Sequence, residues 1–109
     1  MRFFGLKSCD TCRKALKAIR ENGLDVTVTD VRADGIASRD QARIVEAFGE
    51  KSLNRASTTW RGLSDAEKAL SPADLLSTHP TLLKRPVIEK DGVWTIGWSP
   101  DVQKSVLGG

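Results

Sequence analysis

The chain has 109 residues, a length typical of one domain, of which 39% are apolar and 28% charged. This composition is that of a folded, water-soluble protein, and no apolar run approaches the roughly 18 residues that a membrane span needs. The net charge of +3, from 17 basic and 14 acidic residues, is too small and too dispersed to indicate a nucleic-acid-binding protein.

The first apolar residues form too short a stretch for a signal peptide, so we expect a cytoplasmic protein. The modest size and the lack of an evident exposed apolar stripe favour a monomer. Neither a membrane nor a nucleic acid is expected as a partner.

The N-terminal third follows a strand–helix–strand pattern. A short apolar run over 2–6 predicts a strand, and the apolar residues that follow recur at the spacing of one helix face. Asp10 or Thr11 is the expected N-cap of this helix, and Gly23 its left-handed stop. Alternation over 24–31 predicts a second strand, which would be parallel to the first.

The middle of the chain carries helical signals. Ser38 and Gln41 predict a capping box before a helix that ends at Gly49. The segment 51–63 has no clean periodicity, so we expect a short turn and a loop there.

Two further short helices are predicted towards the C-terminus, each beginning at a serine. Ser64 and Ser71 each open a short helix, the second of them with proline at its first position. Over 82–98 two strands are expected, joined by a hairpin turn at Asp91-Gly92. Ser99 then caps a final helix.

The resulting order is β-α-β, then three helices, then β-β-α. It predicts an α/β protein with a thioredoxin-like fold and a four-stranded mixed sheet. We expect one domain over 1–109, with its core in 1–35 and 82–109 and a helical insert over about 36–81.

The only two cysteines, Cys9 and Cys12, lie where the first strand gives way to the first helix. Cys9 precedes the helix, whose positive end favours a thiolate, and Lys7, Arg13 and Lys14 add positive charge nearby. We therefore predict a lowered pKa for Cys9. Cys12 lies on the buried face, where it either resolves a disulfide formed by Cys9 or simply packs in the core.

A metal site is not expected. Zinc takes about four protein ligands, and this chain offers one C-x-x-C and a single histidine, His79, far away in sequence. No bound organic cofactor is required either.

Three segments resemble the arsenate-reductase-related (ArsC) family, and within it the YffB-like branch: GLKSCDTCRKA (5–15), LNRASTTWRGL (53–63) and HPTLLKRPVIE (79–89). The resemblance covers essentially the whole chain. It implies a thioredoxin-like fold with an inserted helical part and a thiol chemistry centred on Cys9. In the arsenate reductases of this family the cysteine attacks arsenate, and glutathione with glutaredoxin resolves the adduct.

The family's arsenate reductases bind the oxyanion with three arginines, and Arg55 and Arg85 match two of them. The third is missing, because the stretch after the last strand reads GWSP (97–100). Members of the YffB-like branch share this loss and resemble glutathione-dependent thiol reductases. Arg85 precedes Pro86, and thioredoxin-like folds present the residue before a cis proline to the reactive cysteine, so we predict that Pro86 is cis.

The leading interpretation is a cytosolic thiol oxidoreductase that forms a mixed disulfide on Cys9, released by glutathione or by Cys12. The candidates for binding a small anionic substrate or the carboxylates of glutathione are Arg85, Arg55, Lys7 and Arg13. Glutaredoxin is a further candidate partner.

Two alternatives stay open. The YffB-like branch usually lacks a cysteine at the position of Cys12, whereas Spx-like regulators have a redox-switched C-x-x-C that tunes their binding to RNA polymerase. A redox-sensing transcriptional regulator is therefore the second interpretation. A true arsenate reductase is the third, and the missing arginine counts against it.

Overall fold

A computed structural model describes residues 1–108 of the chain. The chain divides into two compact units. The first, here called the sheet unit, contains Met1–Asp30 and the chain from Arg85 onward; the second, the helical unit, contains Val31–Lys84. The insert expected over about 36–81 is therefore a few residues longer at both ends.

The elements follow one another along the chain in an order close to the predicted one. They are β1 (Arg2–Gly5), α1 (Asp10–Glu21), β2 (Thr27–Asp30), α2 (Ser38–Phe48), a 3-10 turn (Gly49–Ser52), α3 (Thr58–Arg61), α4 (Asp65–Lys68), α5 (Pro72–Thr78), a second 3-10 turn (Pro80–Leu82), β3 (Val87–Lys90), β4 (Val93–Ile96) and α6 (Pro100–Leu107).

The four strands of the sheet unit form one mixed sheet in the order β2-β1-β3-β4. β1 runs parallel to β2 and antiparallel to β3, and β3 runs antiparallel to β4. At the hairpin turn Asp91 and Gly92 both have positive φ, 53° and 80°, as a two-residue turn of this hand requires. The four-stranded mixed sheet and its thioredoxin-like topology are those predicted from the sequence.

The core of the sheet unit lies where α1 and α6 pack against one face of the sheet. Its buried residues come from two strands and both helices: Phe3, Cys12, Ala15, Ile19, Ile88 and Val106. The period of α1 places Cys12, Ala15 and Ile19 on one stripe, which anchors the helix on β1 and β3. This packing holds the N-terminus of α1 at the end of β1.

Two predicted helix starts are wrong. The N-cap of α1 is Cys9, not Asp10 or Thr11, and Asp10 instead pairs with Arg13 one turn along the helix. The Ser38–Gln41 capping box does not form, because α2 already begins at Ser38 and the Gln41 amide donates to the carbonyl of Ile36.

The second strand is shorter than predicted, because the end of α1 takes up part of the predicted stretch. Of the stretch 24–31 only Thr27–Asp30 belongs to β2. The backbone N–H of Leu24 still donates to the carbonyl of Ile19, so the first residues of this stretch complete the end of α1.

Serine caps begin the short helices of the helical unit. The side chain of Ser64 accepts from the backbone N–H of Glu67 in a complete capping box, and Ser71 caps α5 ahead of its proline. Ser57 likewise caps α3, so the segment expected to be a turn and a loop contains a short helix. Among residues 1–108 no helix is both long and apolar enough to cross a membrane.

Candidate active site at Cys9

Cys9 lies at the N-cap of α1 with extended backbone angles, φ −87° and ψ 120°. Its backbone N–H donates to the carbonyl of Leu6 at 3.2 Å, and its own carbonyl accepts from the N–H of Arg13 at 3.0 Å. The side chain is partly exposed. The sulfur therefore stands at the positive end of a 12-residue helix, where a thiolate is stabilised and a reagent can reach it.

The surroundings of Cys9 lower the pKa of its thiol below the usual value. Partial burial acts in the opposite direction and favours the neutral thiol. The backbone N–H and the thiol of Cys12 outweigh this effect, together with the guanidinium and the positive charge of Arg85. The lowered pKa is in the direction predicted from the sequence, but its causes include a residue from the other end of the chain.

Cys12 has the opposite properties. It is 1% exposed, and burial raises the pKa of its thiol to about 11, with the adjacent sulfur of Cys9 adding to the rise. A hydrogen bond from the backbone N–H of Leu6 and the charge of Arg85 oppose the rise without cancelling it. Both thiols are free. One cysteine of the pair is therefore disposed to ionise and the other to keep its proton.

Arg85 reaches Cys9 through the pairing of the strands. In the antiparallel register Phe4 of β1 lies opposite Val87 of β3, so the residues just before β3 lie beside the end of β1. The Arg85–Pro86 peptide bond is cis, the isomer predicted from the sequence. The carbonyl of Pro86 accepts from the N–H of Gly97 at 2.8 Å, which ties this turn to the end of β4.

Lys7 and Arg13, two further candidates, belong to the same unit as Cys9. Lys7 is exposed, and its backbone N–H donates to the carboxylate of Asp30 at 3.3 Å. Arg13 is exposed and forms an ion pair with Asp10. Both positive charges thus flank the N-terminal end of α1, and their role in binding substrate stays a prediction.

Arg55 belongs to the helical unit. It forms an ion pair with Glu50, and its guanidinium lies 5.4 Å from the ring centre of Trp60. The Nζ atom of Lys68 lies 5.8 Å from the same ring. These contacts hold Arg55 within a local cluster of its own unit, and its predicted role in substrate binding is untested.

Two residues that the sequence did not single out contribute to the site. A Cβ atom at Gly5 would lie 2.8 Å from the sulfur of Cys12 and 2.7 Å from Cε1 of Phe3, closer than such atoms approach. Leu6 contributes its backbone N–H to the sulfur of Cys12. The one signal in the sequence is a glycine that ends an apolar strand just before the cysteines.

No group of three or more His, Cys, Asp or Glu side chains that could hold a metal occurs among residues 1–108. His79, the one histidine, lies in the helical unit with its Nε2 atom 2.9 Å from the carboxylate of Glu67. The chemistry that the cysteine pair can perform is nucleophilic attack by a thiolate, with a guanidinium beside it to attract an anion.

Comparison with known proteins shows which family the chain resembles. Residues 4–106 match the ArsC family. A solved structure described as YffB (PA3664) protein is 33% identical, with 97% of each chain covered and a TM-score of 0.87. An arsenate reductase (ArsC) related protein from Brucella melitensis is 32% identical, with 95% of this chain and 91% of the other covered and a TM-score of 0.72.

A Haemophilus influenzae protein described as uncharacterized is 35% identical over 101 residues, which cover 88% of this chain and 89% of the other. The region that matches the ArsC family includes the second half of β1, both cysteines, Arg85 and most of α6. The chain therefore belongs to the ArsC family of arsenate-reductase-related proteins.

Proposed function

We propose that this protein is a glutathione-dependent thiol–disulfide oxidoreductase in which the Cys9 thiolate is the nucleophile. The observation that carries the proposal is the contrast between two adjacent thiols. Cys9 is accessible and has a lowered pKa, whereas Cys12 is buried and has a raised one. Family membership supports a thiol-based reductase, and the proposal adds the nucleophile and the co-substrate.

The reaction needs two exchange steps. The Cys9 thiolate attacks the glutathione sulfur of a substrate disulfide RS–SG; the S–S bond breaks and RS⁻ leaves, taking a proton from water. The thiolate of a second glutathione then attacks the glutathione sulfur of the mixed disulfide and regenerates the Cys9 thiolate. The net reaction converts RSSG and GSH into RSH and GSSG, so atoms and electrons balance without a bound cofactor.

Arg85 is the residue we expect to bind the anionic part of the substrate. A guanidinium offers a planar, permanently charged set of donors that suits the carboxylates of glutathione. It also stabilises the Cys9 thiolate when the site is empty. Lys7, Arg13 and Arg55 are further candidates for binding these carboxylates.

The proposal is tested by mixing the reduced protein with oxidised glutathione and measuring its intact mass. We expect one glutathione adduct on the wild type and none on Cys9→Ser. Turnover of a glutathionylated small thiol should likewise require Cys9. Turnover by Cys9→Ser equal to that of the wild type would overturn the proposal.

A second candidate function is a redox-sensing regulator that binds RNA polymerase. The observation that favours it is the position of Cys12 one helical turn after Cys9, where its thiol acts on the sulfur of Cys9. A low-molecular-weight disulfide such as oxidised glutathione would then accept two electrons and two protons from the pair, leaving a Cys9–Cys12 disulfide and two molecules of reduced glutathione. Binding to purified RNA polymerase that differs between the oxidised and reduced protein would support this function, and equal or absent binding would exclude it.

A further inference from the structure

Two hollows meet on the surface of the sheet unit along α1. The first lies between α1 and β2, and its apolar part is formed by Leu6, Leu16 and Val28. The second is shallow and open, runs further along α1, and shares Arg13 and Leu16 with the first. The two hollows therefore form one continuous groove, here called the α1 groove, and all of its residues belong to the sheet unit.

The α1 groove begins at Cys9. The backbone N–H of Cys9 donates to the carbonyl of Leu6 at 3.2 Å, and the carbonyl of Cys9 accepts from the N–H of Arg13 at 3.0 Å. Leu6 and Arg13 both line the groove, so Cys9 lies between two of its residues. From there the groove follows one face of the helix through Leu16 to Arg20, which lies ~16 Å along the axis at 1.5 Å per residue.

The rim of the groove is basic. The residues that combine a positive charge with an exposed side chain are Lys7, Arg13, Lys17 and Arg20. The Nζ atom of Lys17 lies 3.9 Å from the carboxylate of Glu21, in a surface ion pair of a kind that contributes little to stability. Within residues 1–108 Arg20 forms no ion pair, so its charge is available to a ligand.

Acidic residues offset part of this charge. Asp10 pairs with an arginine of the rim, and Asp30 accepts from a backbone N–H at the start of the groove. With Glu21 these make three negative charges against four positive ones, and Lys14, also exposed on α1, adds a fifth positive charge. The field is therefore positive, and exposed ion pairs are weak enough for the carboxylate of a ligand to replace them.

We propose that the α1 groove binds the polypeptide part of a glutathionylated protein, in which acidic residues and one apolar residue lie within about five residues of the modified cysteine. This inference rests on the proposed function of Cys9 and names its substrate class. The exchange is the one described above with the protein as leaving group. The Cys9 thiolate takes the glutathione, and the protein thiolate leaves and takes a proton from water.

The length and the mixed character of the groove favour a polypeptide. About five residues of extended chain span ~16 Å, whereas glutathione, a tripeptide, spans only ~10 Å. Leu16 is half-buried and Val28 is 37% exposed, so the first hollow can receive an apolar side chain while the rim pairs with carboxylates. A nucleic acid would use the basic rim and leave this apolar part empty.

The test compares four glutathionylated substrates in turnover with glutathione: a small thiol and three peptides. The first peptide carries glutamates and one leucine around its single cysteine, the second has glutamines for the glutamates, and the third has serine for the leucine. At low salt kcat/KM for the first peptide should exceed that for the second by roughly tenfold, and the margin should shrink at high salt. Equal values for the first and second peptides would overturn the proposal, and equal values for the first and third would indicate a surface for any polyanion and overturn it too.

Charge reversal in the groove gives a second test. Lys17→Glu/Arg20→Glu should lower the ratio of kcat/KM for the first peptide to that for the small thiol by roughly tenfold. Arg39→Glu/Arg43→Glu, which reverses two exposed charges of α2, is the matched control and should leave this ratio unchanged. A ratio that falls equally in both double variants, or in neither, would contradict binding in the α1 groove.

Turnover of the small thiol separates this inference from the proposed function. If the wild type turns over the small glutathionylated thiol but does not discriminate among the peptides, only the inference about the α1 groove fails. If Cys9→Ser turns over the small thiol as fast as the wild type does, the proposed function fails, whatever the peptides show.

Discussion

The guanidinium of Arg85 favours the thiolate form of Cys9, although the two residues lie far apart in the sequence. Different parts of the fold fix the positions of the two residues. Cys9 is fixed by the start of α1, and Arg85 by the turn into β3, which pairs with β1. The candidate site therefore depends on the antiparallel pairing of β1 with β3, and a substitution of Arg85 should change the properties of Cys9.

Substitution Arg85→Ala should raise the pKa of Cys9, because it removes a hydrogen bond and a positive charge that favour the thiolate. The pH profile of alkylation should move to higher pH, and reactivity at pH 7 should fall. Binding of the anionic substrate should weaken by ~1–3 kcal/mol, seen as a higher KM. Arg43→Ala, an exposed arginine of α2, is the matched control; equal profiles for the two variants would remove Arg85 from the site.

Substitution Gly5→Ala should destabilise the fold by ~1–3 kcal/mol, because its Cβ atom would overlap Cys12 and Phe3 in the core. Urea denaturation followed by circular dichroism measures this. Gly62→Ala is the control, since its Cβ would approach nothing closer than 3.6 Å and its φ is −82°. A Gly5→Ala protein as stable as Gly62→Ala would contradict the close packing of Cys12 and Phe3 against Gly5.

Glu67 should contribute to stability in a pH-dependent way. Hydrogen bonds from His79 and from the backbone of Ser64 lower the pKa of its carboxyl group. A group with a lowered folded-state pKa contributes stability above its unfolded pKa, and this contribution is lost as pH falls through the folded value.

The melting temperature of Glu67→Gln should therefore lie below that of the wild type at pH 6, and the difference should shrink towards pH 3. Thermal melts across this range test the expectation. Glu46→Gln provides the control, because Glu46 is exposed and its ion pair with Arg43 is long, at 4.0 Å. A difference that is independent of pH would place the effect of Glu67→Gln elsewhere than in the titration of its carboxyl group.

Arsenate should be a poor substrate. Two arginines match those that bind the oxyanion in the family's arsenate reductases, and the stretch after β4 supplies no third one. Loss of a charge-assisted contact leaves part of the oxyanion unneutralised. An assay that couples arsenate reduction to glutathione and glutaredoxin should give little or no rate above that of Cys9→Ser, while disulfide exchange proceeds; a comparable rate would favour the arsenate reductase interpretation.

Much of the architecture could be predicted from local patterns. Alternation and helical spacing indicated the strands and α1, and the serines at 57, 64, 71 and 99 show how a side chain that accepts a backbone N–H begins a helix. Ser57 is the exception: no apolar periodicity follows it, so the sequence pattern did not predict the short helix that it caps. The lowered pKa of Cys9 was predictable in direction, because a helix N-terminus acts on a residue directly beside it in sequence.

Other features depended on contacts between residues distant in the chain. Arg85, which favours the thiolate form of Cys9, lies beside the end of β1 only because β3 pairs with β1. The close approach of Cys12 to Gly5 could not be predicted from the sequence, because it arises only when α1 packs on β1. The sequence by itself therefore determined the fold class, and it indicated Cys9 as the candidate nucleophile from its position directly before a helix. The tertiary structure decided which groups surround the two sulfurs, because burial, strand pairing and close approach act across the whole length of the chain.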